Sequence, residues 1–146
     1  IKDFAHTAEM TGTVYKRNIK AQLSLSESIK IPVDKMLFSR ALENIFSNAL
    51  RYTKDGDSIL ISAEEMTDEQ NAAKVVITIS DTGIGIEKED LAHIFDLFYR
   101  GTNSRREQGM GIGLSVVKNI IDTHGWKIFV ESERGKGTNF KIEIPL

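Results

Sequence analysis

The sequence predicts an α+β fold: a two-layer α/β sandwich in which a mixed, mostly antiparallel sheet packs against three main helices. Two observations lead there. Stretches with helical apolar spacing and stretches of strict alternation follow one another in an irregular order, which argues against a doubly wound parallel sheet. Pairs of strand-like stretches joined by polar segments read as hairpins. The 146 residues are enough for one domain with a single core, so residues 1–146 are read as one unit.

The elements follow in order. Residues 3 to 17 have a loose helical spacing at Phe4, Ala8, Val14 and Tyr15, weakened by Gly12. Ile19, Ala21, Leu23 and Leu25 alternate with polar residues, as in a half-buried strand. The strongest helix follows Asp34, which can cap it; Leu37, Ala41, Ile45 and Ala49 recur every fourth residue. After the turn "KDGD" come the strands "SILISAEE" and "KVVITISD", joined by "MTDEQNAA" as a hairpin. "EKEDLAHIFDLFY" reads as a short helix. "RGTNSRREQG" has no periodicity and reads as a mobile loop. "GIGLSVVKNIIDTH" is a second long helix, ended by Gly125, with His124 in a capping role. The strands "WKIFVESE" and "GTNFKIEIPL" flank the turn "RGKG", and Trp126 packs at the start of the first.

Composition excludes several classes. Charged residues make up 27% and hydrophobic residues 40%, an ordinary soluble balance, and the net charge is −2. That charge favours neither nucleic acid nor an anionic membrane surface as a partner. Without cysteine there is no disulfide framework and no Cys-ligated metal; the composition fits a reducing cytosol. The longest apolar runs are a few residues, too short to span a bilayer, and the first residues have no signal-peptide layout. The chain begins with Ile1 rather than Met and is read as part of a longer protein.

Two glycine-rich turns, "DTGIGI" and "GMGIGL", each precede a helix. Neither is a dinucleotide fingerprint or a P-loop: Gly109, Gly111 and Gly113 follow a polar loop rather than a strand, and Leu114 and Ser115 stand where a P-loop needs Lys and Ser/Thr. Glycines there still allow positive φ and close backbone approach, and the following helix offers N–H groups suited to phosphate. A plain loop entering a helix is the alternative. Asp81 ends an apolar strand beside the first turn, where it can accept from a buried amine such as that of adenine; a simple turn Asp is the other reading. Asn44 and Asn48 lie one turn apart in an otherwise apolar helix, continued by Arg51 and Tyr52. An amide oxygen there can ligate Mg²⁺ and Arg51 can meet phosphate, unless the stripe is merely solvated.

These stretches resemble the motifs of sensor histidine kinases. "NIFSNALRYT" is similar to the asparagine box, "DTGIGI" to the first glycine box and "IFDLFYRG" to the phenylalanine box. "GMGIGL" is similar to the second glycine box and "GKGTNF" to the last glycine–threonine box; all five stand in the family's order across residues 42 to 140. The resemblance implies the Bergerat fold shared with DNA gyrase B, Hsp90 and mismatch-repair ATPases, with ATP and Mg²⁺ as its ligands. It implies Asn48 as the Mg²⁺ ligand, Asn44 in support of the metal–phosphate end, Arg51 on phosphate and Tyr52 near sugar or base. Asp81 would bind the adenine amine, with Gly83 and Gly85 shaping its wall and Thr138 at the same end. Gly109, Gly111 and Gly113, followed by Leu114, would close over the phosphates as part of a lid spanning about 100 to 110. Arg100 would be catalytic beside Asn44 and Arg51, with Arg105 and Arg106 as further lid cations, while Phe95 and Phe98 would pack the lid's root.

ATPases of this superfamily carry a Glu one turn before the metal-binding Asn, and here that position is Asn44, which cannot act as a base. Glu43 is about 100° round the helix and faces elsewhere. The resemblance therefore implies transfer of the γ-phosphoryl group to a His on a separate helical-hairpin domain, with a response regulator as an indirect partner. The expected location is cytoplasmic, in a full-length protein anchored to a membrane. His6, His93 and His124 lack the pattern that surrounds an acceptor His in this family.

Overall fold

The computed structural model describes residues 1–67, 71–99 and 111–146. Among them the elements run α1 (Lys2–Tyr15), β1 (Asn18–Ser24), α2 (Lys35–Tyr52), β2 (Ser58–Thr67), β3 (Ala73–Asp81), α3 (Lys88–Leu91), α4 (Gly113–Thr123), β4 (Lys127–Glu133) and β5 (Gly137–Pro145). The sheet order is β1-β2-β3-β5-β4; β1 runs parallel to β2 and every other pair is antiparallel. This is the expected α+β sandwich with a mixed sheet.

Strand alternation decides which side carries the core. Ile59, Ile61 and Ala63 of β2, Val75, Ile77 and Ile79 of β3, and Phe140, Ile142 and Ile144 of β5 are all buried. They pack with Ala41, Leu42, Ile45, Phe46 and Ala49 of α2 and with Val117, Ile120 and Ile121 of α4. Each buried Val, Ile, Leu or Phe side chain among them contributes roughly 1.5–3 kcal/mol.

Helix α2 begins where the sequence places it. Asp34 Oδ1 accepts from the backbone N–H of Met36 at 2.8 Å and of Leu37 at 3.1 Å, a cap contributing about 1 kcal/mol. The last turn closes on Thr53, whose hydroxyl donates to the Ala49 carbonyl at 2.7 Å. Helix α1 includes Gly12 because this residue is buried against β1: a Cβ there would stand 2.9 Å from the Arg17 carbonyl oxygen and 3.2 Å from Ile19 Cγ1. At the end of α4, His124 Nδ1 lies 2.8 Å from the Ile120 carbonyl and Gly125 takes φ +69°. Trp126 is buried and meets Phe38 edge to face at 5.8 Å.

Two expectations are corrected. The helix read over "EKEDLAHIFDLFY" lasts only from Lys88 to Leu91. Beyond it the backbone bonds His93 to Asp90, Asp96 to His93 and Tyr99 to Asp96 close over three residues rather than four, so the chain coils in tight turns. Phe98 does not pack the root of the following segment. Its φ is +64° and it is 65% exposed, whereas Phe95 does pack against the core.

Candidate functional site

On three adjacent strands the inward-facing row changes from apolar to polar at one end of the sheet. β3 reads Ile77, Ile79, Asp81; β5 reads Ile142, Phe140, Thr138; β4 reads Ile128, Val130, Ser132. Asp81 pairs with Thr138 and Thr138 with Ser132, so the three polar residues stand side by side. Asp81 is 7% exposed and Thr138 8%. The Gly83 N–H donates to Asp81 Oδ1 at 2.8 Å. Burial pushes the Asp81 carboxyl pKa above its ordinary value, against the lowering effect of backbone N–H groups from Gly83 and Thr138, and the Asp57 charge pushes the same way as burial. No cation pairs with Asp81 among the described residues.

The turn after Asp81 is pressed between the end of α2 and the β4–β5 turn. Ile84 N–H donates to the Tyr52 carbonyl at 3.0 Å, and Ile84 O accepts from Gly135 N–H at 2.8 Å. Arg134 pairs with Glu87 on the far side of the same turn. A Cβ on Gly83 would lie 2.2 Å from the Tyr52 carbonyl oxygen, and one on Gly85, at φ +69°, 2.2 Å from that of Glu133. Contact with the protein's own backbone therefore already requires glycine at both positions.

Along α2, Asn44, Asn48 and Tyr52 are half-buried, while Glu43 and Arg51 are exposed. The Asn44 and Asn48 amides have no hydrogen-bond partner among the described residues. Asn44 Oδ1 lies 3.3 Å from where a Cβ of Gly113 would stand, at the start of α4. Helix α4 has no side-chain cap. Leu114 is half-buried against the core edge. Gly111, at φ +68°, accepts from Phe98 N–H at 3.0 Å, and Tyr99 donates from its hydroxyl to buried Asp90 at 2.7 Å; these bonds tie both stems of the segment between them. Arg100, Arg105, Arg106 and Gly109 lie outside the described residues.

The structure thus brings Asp81, Gly83, Gly85, Thr138 and Tyr52 together at one end and Asn44 with Gly113 at the other. The two ends are separated along α2 by about 12 Å of helical rise. Sequence reading did not single out Ser132, although it is the polar residue that ends the inward row of β4.

The chain belongs to the family of histidine kinase-, DNA gyrase B- and HSP90-like ATPases, whose profile matches residues 33–146. Within it, the chain is a histidine kinase-type ATP-binding domain of a sensor kinase. It is 44% identical over 115 residues to the sensor protein SrrB of Staphylococcus aureus, a match covering 77% of this chain and 18% of that protein. Among solved structures, the catalytic domain of histidine kinase ThkA in a nucleotide-free form superposes with a TM-score of 0.78 at 25% identity, covering 99% of this chain and 91% of that one. Full-length ShkA in complex with AMPPNP gives a TM-score of 0.79 at 24% identity over 99% of this chain and 28% of that one.

The residues present fit a magnesium nucleotide. A buried carboxylate without a cation suits a base amine, and a half-buried amide oxygen without a partner suits a hard cation. Among the described residues there is no group of three or more His, Cys, Asp or Glu that could hold a metal ion. No helix among the described residues is long and apolar enough to cross a membrane.

Proposed function

We propose that the domain binds MgATP and presents its γ-phosphoryl group to a His imidazole on a separate helical-hairpin domain of the same sensor kinase. The observation that carries the reading is Asp81: a buried carboxylate that, among the described residues, is held by backbone N–H groups, beside a turn fixed to the end of α2. Its remaining lone pairs accept the adenine amine, with Gly83, Gly85 and Thr138 forming that end and Tyr52 beside the sugar or base. Asn48 offers its amide oxygen to Mg²⁺, which when bound neutralises phosphate charge. Asn44, Arg51 and the uncapped start of α4 at Gly113, flanked by Gly111 and Leu114, face the phosphates.

In the transfer, the imidazole nitrogen attacks the γ-phosphorus, the bond to the bridging oxygen of ADP breaks, and ADP leaves. Charge neutralisation and positioning carry such a step, so no base from this chain is required. Asn44 supports transfer over hydrolysis, since an amide cannot deprotonate water, and the neighbouring Glu43 is exposed. The domain is read as cytoplasmic within a membrane-anchored sensor, which passes its phosphoryl group on to a response regulator.

The test mixes the purified domain with a His-bearing hairpin domain from a sensor kinase and γ-labelled ATP. Label should move to the hairpin domain, while phosphate release by the isolated domain stays near background. Brisk multiple-turnover hydrolysis would overturn the kinase reading in favour of an ATPase. Binding without either reaction would favour a nucleotide-dependent interaction module.

A further inference from the structure

We propose that Ser132, on the edge strand β4, determines base specificity by fixing the direction of the Thr138 hydroxyl. The inference rests on the reading of Asp81 and Thr138 as the base end of the site. Ser132 Oγ makes three contacts: it accepts from Ile86 N–H at 2.8 Å, meets the Gly137 carbonyl at 2.8 Å and meets Thr138 Oγ1 at 2.9 Å. A serine hydroxyl has one proton. The Gly137 carbonyl can only accept, so that contact uses the Ser132 proton. The contact with Thr138 must then use the Thr138 proton, and this is the one assignment that satisfies all three.

The consequence lies on the other side of Thr138. With its proton committed to Ser132, the Thr138 hydroxyl offers only lone pairs, next to the acceptor carboxylate of Asp81, its partner in the β3–β5 register. The base end is therefore lined with acceptors and takes a purine bearing a 6-amino group, directly or through a bridging water. A 6-oxo purine puts a carbonyl there and finds no donor. Ser132 also holds Ile86, in the turn that carries Gly83, so one hydroxyl ties together the two backbone segments whose N–H groups hold Asp81. It is a positioning residue that acts on the ligand through Thr138.

The experiment measures binding of ATP and of inosine triphosphate, its 6-oxo counterpart, to wild type, Ser132→Ala and Ser132→Thr, with thermal melting to verify the fold. Wild type should prefer ATP. In Ser132→Ala the Thr138 proton is free to turn and donate, so the preference should fall about tenfold, the worth of one hydrogen bond. Ser132→Thr keeps the hydroxyl and should restore the preference. A folded Ser132→Ala protein with undiminished preference would overturn the role of Ser132 alone. So would one that loses both ligands equally, or a folded Ser132→Thr protein that fails to recover. A wild type that binds both ligands equally would instead sink the base-end reading, and this inference with it. If Ser132→Ala unfolds, Ser132→Cys, close in shape and only a weak donor, carries the same expectation.

Discussion

Asn44 on α2 and Gly113 at the start of α4 share one small space: a Cβ added to Gly113 would stand 3.3 Å from Asn44 Oδ1. The contact joins the asparagine face to a helix start without a side-chain cap among the described residues, so under the proposed function crowding there should be felt in nucleotide binding before it is felt in the core.

Gly113→Ala is accordingly expected to leave folding stability within about 1 kcal/mol, since alanine is the better helix residue and the site has ordinary φ. The Asn44 amide must shift by a few tenths of an ångström, and MgATP affinity should fall several-fold, roughly 1 kcal/mol. Calorimetric titration checks this, and unchanged affinity in the folded variant would contradict it.

Asn48→Ala removes a half-buried amide that has no hydrogen-bond partner among the described residues. Melting should change by less than about 1 kcal/mol. Binding of ATP with Mg²⁺ should weaken markedly, while binding in the presence of a chelator should barely change. Equal losses with and without the metal would reject Asn48 as its ligand.

Asp81 should trade stability for recognition. Burial raises its carboxyl pKa in the fold above the ordinary 3.8. A carboxyl raised in this way contributes stability that is fully present below the unfolded pKa and is lost as pH rises through the folded pKa. Nucleotide-free Asp81→Asn, which does not titrate there, should therefore gain on wild type in melting temperature as pH rises from about 4 towards neutrality. At neutral pH the same variant should lose roughly 1.5–3 kcal/mol of ATP affinity. A constant separation between the two melting curves at every pH would refute the linkage.

Gly83→Ala should fail for a different reason. Its Cβ would sit 2.2 Å from the Tyr52 carbonyl oxygen, backbone against backbone, and would break the bond from Ile84 to that carbonyl. A destabilisation of about 1–3 kcal/mol is expected in denaturant unfolding, together with loss of nucleotide binding. Wild-type stability would show that the turn relaxes freely.

What the sequence made legible was whatever leaves a local pattern. Asp34 before an apolar residue at every fourth position announced α2, alternation announced β1, and strand-like stretches beside polar turns announced β2, β3 and β5. Asp81 stood out because a carboxylate closing an apolar strand is unusual. Three features left no such pattern. The apolar residues Ile94, Phe95, Leu97 and Phe98 look helical, yet the turns after Leu91 follow from three-residue hydrogen bonding that composition does not encode. Ser132 is an ordinary strand residue until β5 is laid beside β4, because its partners Ile86 and Thr138 are distant in sequence or on another strand. The parallel pairing of β1 with β2 likewise depends on α2 bringing the chain back across the sheet.

The polar row at the sheet's end has a consequence for how the gene can change. A one-residue insertion or deletion that slides β5 would set Gly137 or Asn139 opposite Asp81 in place of Thr138, and in the same stroke would turn Phe140, Ile142 and Ile144 out towards water. The error that would scramble base recognition is thus one that also unfolds the chain. A one-residue length change within this strand is therefore expected to unfold the domain rather than retune its ligand, which leaves point substitutions at a few side chains as the milder route.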